Sequence, residues 1–181
     1  MKTHKKREQF ELCNDEALTR SVGEWEGWLK KLRYEGRAWF EGNLSSVRAR
    51  FMDFQDKLRS HFQVEESIIF PFFRRHIPRT DAPVDLFSSE HREIMVLMRT
   101  VVEIIRTVEL SPALLCPGQE TVRLSEMGVY LTSYVRHHLA VENAILKKAW
   151  GELRSCEKEA LRNLVEAKVA KGKAGGVSWK R

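Results

Sequence analysis

The sequence predicts an all-α protein, an antiparallel up-down-up-down four-helix bundle followed by a short C-terminal helix. Apolar residues recur in steps of three and four, as on the buried side of a helix. Four such stretches are long, short segments rich in Gly, Pro and Asn separate them, and no stretch alternates like a strand. With 181 residues, 43 % hydrophobic and 31 % charged, the chain has the size and composition of one globular domain.

The first two helices are predicted from their caps and the turn between them. Asn14 or Asp15 can cap a first helix that runs to about Glu41, and Gly42-Asn43 predicts the turn after it. The second helix then starts at residue 45 or 46, where serines stand, and runs to about residue 76. Pro71 falls inside its last turns and predicts a kink.

The remaining helices follow from proline and glycine positions. A loop over residues 77–82 leads to Pro83, which suits the first position of a third helix ending at about Glu109. After a loop with two prolines, the fourth helix runs from about Gln119 to Trp150. Residues 15–150 therefore form the predicted bundle.

Three further segments flank this bundle. Residues 1–14 are predicted to form a polar N-terminal arm, and residues 151–170 a C-terminal helix that Ser155 caps. Residues 171–181, rich in Gly and Lys, are predicted to be a basic flexible tail. The residues of the C-terminal helix expected to face inward are Leu161, Leu164 and Val165.

The charge and the cysteine content limit which partners and which cellular compartment are expected. The net charge of +6 is concentrated in the two ends, which we interpret as solvated; the alternative is a weak contact with nucleic acid or an acidic protein partner. The absence of any nucleic-acid-binding motif argues against nucleic acid. No apolar run approaches the roughly 20 residues of a membrane span. Three scattered cysteines and a basic N-terminus without a following apolar segment favour the cytoplasm.

Three of the predicted apolar stripes contain polar residues at positions where Leu would be expected. His61 and Glu65 interrupt the second helix, His91 the third, and His138 and Glu142 the fourth. Residues four apart lie on the same face of a helix. Burying an unpaired carboxylate costs several kcal/mol, so these groups must be paired, protonated or bound to a cation.

The heights of these five residues agree in an antiparallel bundle, where residues equidistant from a turn lie at one level. Midpoints between the polar positions of neighbouring helices fall inside the predicted second and third loops. The five residues are therefore predicted to converge in one layer. The same construction about Gly42-Asn43 places Trp25 opposite His61 on the first helix.

Three imidazoles and two carboxylates form a nitrogen and oxygen ligand set without thiolate, which suits iron, manganese or zinc. Carboxylates on two different helices favour two metal ions over one. The alternative is a metal-free network of His–Glu hydrogen bonds. Glu66, about 100° from Glu65 around the helix, is either an outer partner of the site or solvated. Tyr134, beside the fourth stripe, is either an outer hydrogen-bond donor or a core residue.

These stretches resemble the hemerythrin-like, or HHE cation-binding, domain over about residues 15–150. The resemblance implies a non-haem di-iron centre that binds O2, and a part in responses to oxygen, iron or nitric oxide. It also implies that the three histidines are terminal ligands and that Glu65 and Glu142 are bridging carboxylates. The matching stretches are His61-Phe-Gln-Val-Glu65-Glu66 continuing to Pro71, Glu90-His91, and His138-Leu-Ala-Val-Glu142.

Two departures from the family pattern bear on function. Members with a full site carry a His on the first helix, where the level construction gives Trp25, and oxygen carriers carry a second third-helix His, where Met95 stands. A protein that binds or senses O2, NO or iron is therefore favoured over a reversible carrier. The alternative is a degenerate, metal-free helical bundle that acts as an interaction or regulatory module. An oxidative enzyme has less support, because no substrate pocket can be read from the sequence.

Overall fold

The computed structural model describes residues 15–110 and 118–174, and in these residues the secondary structure is helical, with no strand. A π-helical turn over Glu65–Ile69 links the second and third helices. Short 3-10 turns precede the second and fourth helices, over Arg37–Trp39 and Pro78–Thr80. The helices are α1 (Asp15–Tyr34), α2 (Phe40–Val64), α3 (Phe70–His76), α4 (Asp81–Leu110), α5 (Gln119–Glu152) and α6 (Ser155–Ala174). The all-α prediction is confirmed.

The first turn lies earlier than predicted. α1 ends at Tyr34, and Gly36 has a φ of 80°, a left-handed conformation that favours glycine. The predicted turn at Gly42-Asn43 is wrong, because both residues lie inside α2. The buried side chain of Asn43 donates a hydrogen bond to Glu35 Oε2 at 3.0 Å, so it ties α2 to the turn.

The segments around the prolines also differ from the prediction. The second helix does not simply kink at Pro71; it passes through the π-turn first, and Pro71 lies in the first turn of α3. α4 begins at Asp81, two residues before Pro83, so the predicted loop over residues 77–82 is shorter. A 3-10 turn occupies most of what remains.

The C-terminal helix ends four residues later than predicted, since α6 runs from Ser155 to Ala174. Leu161 and Val165 are buried as predicted, but Leu164 is 50 % exposed and was wrongly placed inward. Leu161 and Val165 are four residues apart and share one face, and Leu164 lies to the side of that face. The predicted arm over residues 1–14, the third loop over residues 111–117 and the end of the tail lie outside the described residues.

Helices α1, α2, α4 and α5 pack in a cycle: α1 contacts α2 and α5, and α4 contacts α5 and α2. α6 packs against the π-turn and α2. None of the helices in residues 15–110 and 118–174 combines the length and the apolar character of a membrane-spanning segment.

The buried apolar residues form two clusters, with the predicted polar layer between them. Along α2 the first cluster includes Leu58, and the second begins at Ile69 just past Glu65. Along α4, Phe87 belongs to the second cluster and Ile94 to the first, so His91 lies between them. The polar residues therefore occupy a dry layer with apolar packing on both sides.

Candidate metal centre

The structure brings together the five residues that the sequence singled out. His61 Nε2 lies 2.8 Å from Glu65 Oε1, and His91 Nε2 lies 3.5 Å from Glu65 Oε2. His138 Nε2 lies 3.3 Å from Glu142 Oε2. Each of the five is at most 9 % exposed. They are contributed by α2, the first residue of the π-turn, α4 and α5.

The imidazoles of His91 and His138 face each other, each through its Nε2 atom. His91 Nε2 and His138 Nε2 are 3.1 Å apart. The Nδ1 atoms of both rings face carboxylates, that of His91 at 2.9 Å from Glu66 Oε1 and that of His138 at 2.6 Å from Glu90 Oε2. A carboxylate is an acceptor, so it favours the tautomer with hydrogen on Nδ1. Both Nε2 atoms then point lone pairs at each other, and a proton or a cation must lie between them.

The carboxylates of the layer have unused acceptor oxygens. Among the described residues, Glu65 Oε2 and Glu142 Oε1 are buried and have no hydrogen-bond partner. Burial raises the pKa of Glu65 to about 7; the Glu142 charge also raises it, and His61 lowers it. A buried carboxylate without a donor is costly, and a cation between the oxygens would remove that cost.

Protons alone satisfy the layer less well than a cation does. Burial, with the neighbouring His138 and His61 charges, lowers the pKa of His91 to about 2. Burial also opposes a proton on His138, but its contacts with Glu142 and Glu90 raise the pKa of this imidazole. A proton on His138 can bridge the two rings, yet it leaves Glu65 Oε2 without a donor. The donor set therefore fits a metal ion.

The ligand atoms form two groups that share one carboxylate. In one group the atoms come from His91, His138 and Glu142, and in the other from His61, Glu65 and Glu142; within each group they lie within 4.8 Å of one another. Glu142 is common to both groups, as a bridging ligand would be. The first group consists mainly of nitrogen donors and the second mainly of oxygen donors.

Aromatic rings and a surface cleft border the layer. The Phe62 ring stacks on His91 with centroids 3.7 Å apart, and Phe87 meets His138 edge-on at 5.9 Å. These rings keep water from the ligand atoms and hold the imidazoles in place. A cleft between α3 and α4 reaches the solvent side of Glu66, and Arg92 also lines it.

Of the outer residues predicted, Glu66 is in contact with the layer and Trp25 is not. Trp25 is fully buried, but its ring lies 4.7 Å from that of Phe51 and 6.0 Å from that of Phe54, two or more helical turns before His61. The level construction was wrong because it used a turn at residues 42–43. With the turn near residue 36, the position opposite His61 falls before residue 15, outside the described residues.

The hydroxyl of Tyr134 has a partner outside the five candidate ligands. It donates a hydrogen bond to Glu93 Oε2 at 2.7 Å, and burial together with this carboxylate raises its pKa. Glu90 was not predicted as an outer partner of the site, although the stretch Glu90-His91 was among those that carry the resemblance. The available signal was its position next to a candidate ligand, which Glu66 shares.

Comparison with protein-family models gives a match to the Hemerythrin HHE cation binding domain over residues 4–150. No curated protein matches the chain. No solved structure matches it either.

Proposed function

The chain belongs to the hemerythrin HHE cation-binding family, and we propose that it binds non-haem iron at a carboxylate-bridged two-metal site that takes O2 or NO. The family match confirms the resemblance drawn from the sequence. Iron suits a set of imidazoles and carboxylates, and manganese or zinc are alternatives.

The observation that carries the proposal is the pair of facing Nε2 atoms. His91 Nε2 and His138 Nε2 lie 3.1 Å apart while Glu66 and Glu90 hold both Nδ1 atoms. Metal-ligating histidines use one ring nitrogen for the metal and donate the other N–H to a carboxylate or carbonyl. Both rings have this arrangement, on the side where the free carboxylate oxygens also lie.

The family resemblance assigns the roles of the side chains. His61, His91 and His138 would be the terminal ligands, and Glu65 and Glu142 the bridging carboxylates; the presence of Glu142 in both groups of ligand atoms supports its role. When bound, iron supplies a redox-active centre to which a small diatomic molecule can coordinate. The protein supplies the fixed tautomers, the apolar walls and the exclusion of bulk water.

We also infer the finer architecture around the site. Helices α1, α2, α4 and α5 form an antiparallel up-down-up-down bundle over residues 15–150, and α3 extends α2 beyond the π-turn. The cyclic contacts among these four helices support this arrangement. The scattered cysteines support a reducing compartment, the cytoplasm.

The metal-free interaction module is less well supported than it was from the sequence. One motivation for it was Trp25 in a ligand position, and Trp25 instead packs among Phe51 and Phe54. A role as sensor of O2, NO or iron would need a protein partner to transmit the signal.

The test is metal content per chain, measured by plasma mass spectrometry after purification from iron-supplemented cells, with the visible spectrum before and after addition of NO. The variant is His138→Gln, and the matched control is His137→Gln, its exposed neighbour. We expect iron and an NO-sensitive absorption band in the wild type and the control, and loss of at least half of the iron in His138→Gln. A wild type without metal would refute the proposal and favour the interaction module. Equal iron in both variants would refute the assigned ligands.

A further inference from the structure

Helix α6 packs against a segment that carries one of the candidate ligands. It contacts the π-turn over Glu65–Ile69, whose first residue belongs to the polar layer. The buried side chains of Leu161 and Val165 belong to the same apolar cluster as the last residue of that turn and as Leu146 of α5. Leu146 lies about one helical turn beyond Glu142. α6 therefore lies against both of the segments that supply the candidate bridging carboxylates.

The contact with α3 gives the height of α6 along the bundle. Glu157 Oε1 lies 3.2 Å from His76 Nδ1, so α6 starts beside the end of α3. It contacts the π-turn farther along, and therefore runs antiparallel to this segment. Glu65 is eleven residues before His76 and is consequently level with about the residue eleven after Glu157, which is residue 168.

The contact with α5 gives a second estimate that agrees. The cationic groups of Lys158 and Arg162 lie 5.8 and 5.2 Å from the centroid of the Trp150 ring, so Trp150 is level with about residue 160. Glu142 is eight residues before Trp150, and it is therefore also level with about residue 168. Both carboxylates lie opposite the same part of α6, just beyond its buried residues.

Helix α1 also packs between α2 and α5, but its described part does not reach this height. Glu24 contacts Arg50 at 3.2 Å, and Ser21 contacts Asp53 at 3.0 Å. Three residues back along α1 therefore correspond to three residues forward along α2, so residue 15, the first described, is level with about residue 59. Glu65 lies six residues farther on. Among the described helices, α6 is the one that lies over the carboxylates between α2 and α5.

α6 can leave this position without moving any candidate ligand, because all five come from α2, the π-turn, α4 and α5. Of residues 155–170, only Leu161 and Val165 are buried. Segments with few buried apolar side chains open at a lower free energy than the core of a protein does. α6 also begins after residue 150, where the match to the family model ends, so it is an addition to the cation-binding domain.

We propose that α6 is a lid over the carboxylate side of the metal centre, and that metal ions enter and leave when it undocks. The inference rests on the proposed function, since it assigns Glu65 and Glu142 to the metal. The docked helix keeps water and competing ligands from these carboxylates, and undocking exposes them while the five ligands stay in place. The competing route is the cleft between α3 and α4, which Glu66 and Arg92 line.

The test measures how fast iron leaves the loaded protein for an excess of a strong Fe(II) chelator. Leu161→Ala removes a fully buried side chain that docks α6, so the undocked state becomes more populated and iron should leave about 10-fold faster or more. Leu164→Ala, on the exposed side of the same helix, should release iron at the wild-type rate. Leu32→Ala controls for a general loss of stability, because Leu32 is also buried but lies near the end of α1 that is farther from the layer. It should release iron at about the wild-type rate too.

Three outcomes of this experiment would overturn the inference. Release from Leu161→Ala at the wild-type rate would show that α6 does not limit it. Equally fast release from Leu161→Ala and Leu32→Ala would trace the effect to global unfolding. Faster release from Arg92→Ala, with an unchanged rate in Leu161→Ala, would assign the passage to the cleft.

The metal-free protein gives a second readout that does not depend on iron. Diethyl pyrocarbonate modifies neutral imidazoles that it can reach, and mass spectrometry gives its rate at His61, which shares a group of ligand atoms with both carboxylates. We expect faster modification in Leu161→Ala than in the wild type or Leu32→Ala. A wild type that binds no iron would refute the proposed function alone; an unchanged rate at His61 in Leu161→Ala would then overturn the lid.

Glu157→Ala replaces Leu161→Ala if that variant does not fold. It removes no core side chain, but it deletes the contact with His76 and the hydrogen bond that the backbone N–H of Arg154 donates, both of which hold the start of α6. Iron release and the modification of His61 should both be faster than in the wild type. Wild-type rates for both would overturn the inference.

Discussion

Replacing Glu65 by glutamine is expected to have opposite effects on the metal-free and the metal-loaded protein. In the metal-free state this carboxylate is 3 % exposed, and one of its oxygens has no hydrogen-bond partner among the described residues. Its charge therefore costs folding free energy. In the loaded state the same charge neutralises a cation, so its loss removes a ligand.

The magnitude for the metal-free state follows from the pKa of Glu65. Burial raises it from 4.5 to about 7, an interval worth about 3 kcal/mol because one pKa unit corresponds to about 1.4 kcal/mol. Since the folded-state pKa lies above the unfolded value, this cost is absent below about pH 4.5 and complete above about pH 7. The charged or titratable groups facing the carboxylate are His61 on α2, His91 on α4, and His138 and Glu142 on α5.

Urea unfolding of wild type and Glu65→Gln, at pH 4.5 and pH 8, measures this difference, because the facing groups are common to both proteins. Without metal, we expect the variant to be more stable by about 1–3 kcal/mol at pH 8, since the new amide recovers only part of the cost, and the gain to vanish at pH 4.5. With saturating Fe(II) at pH 8, the wild type should be the more stable of the two. The control is Glu103→Gln on α4, an exposed partner of Arg106 that should change little. If metal-free Glu65→Gln is no more stable than the metal-free wild type at pH 8, the buried charge of Glu65 does not cost stability and the reasoning fails. If Glu65→Gln is more stable than the wild type with Fe(II) present as well, Glu65 is not a ligand.

Three further predictions concern packing, each measured by denaturant unfolding. Trp25→His should lower the free energy of unfolding by about 3 kcal/mol, since the Trp25 ring packs on two phenylalanines. It should not raise the metal content per chain; a higher metal content in the variant would show that position 25 belongs to the site after all. Gly128→Ala should destabilise the protein by about 1 kcal/mol, because a Cβ there meets a leucine methyl carbon of α1. Gly23→Ala, with nothing within 4 Å of its Cβ, should stabilise the protein by about 0.5–1 kcal/mol. A change of the same sign in the free energy of unfolding of both variants would contradict this reasoning. Leu161→Ala should cost about 2–5 kcal/mol and Leu164→Ala under about 0.5 kcal/mol, because only the first is buried; equal losses would contradict the observed face of α6.

The burial of the five polar residues could be predicted from the sequence because helical periodicity is a local property. His61 and Glu65, like His138 and Glu142, are four residues apart within apolar stripes, and no knowledge of the neighbouring helices is needed to see that they are buried. To predict that these residues meet in one layer, only the positions of the loops between the helices were needed in addition. The second loop was placed almost correctly, and that sufficed for His91.

The first helix could not be predicted in the same way, because two glycines compete for its turn. Gly36 and Gly42 are both adequate turn residues by sequence, and an Asn after the second favours it. In the folded chain Gly36 adopts the positive φ, and Asn43 is held inside α2 by its bond to Glu35. That bond is set by the fold, so the error of six residues displaced Trp25 from its true level.

The outer carboxylates show how closely the site depends on the fold. Glu66, from the π-turn, holds the ring of His91 on α4, and Glu90, on α4, holds the ring of His138 on α5. Each outer carboxylate is thus a sequence neighbour of one ligand but supports the ligand of the next helix. A shift of α4 along its axis would move His91 away from Glu66 and at the same time move Glu90 away from His138. If the site binds metal as proposed, we expect metal affinity to depend on the relative positions of three helices, and bound metal to favour the packing that holds them there.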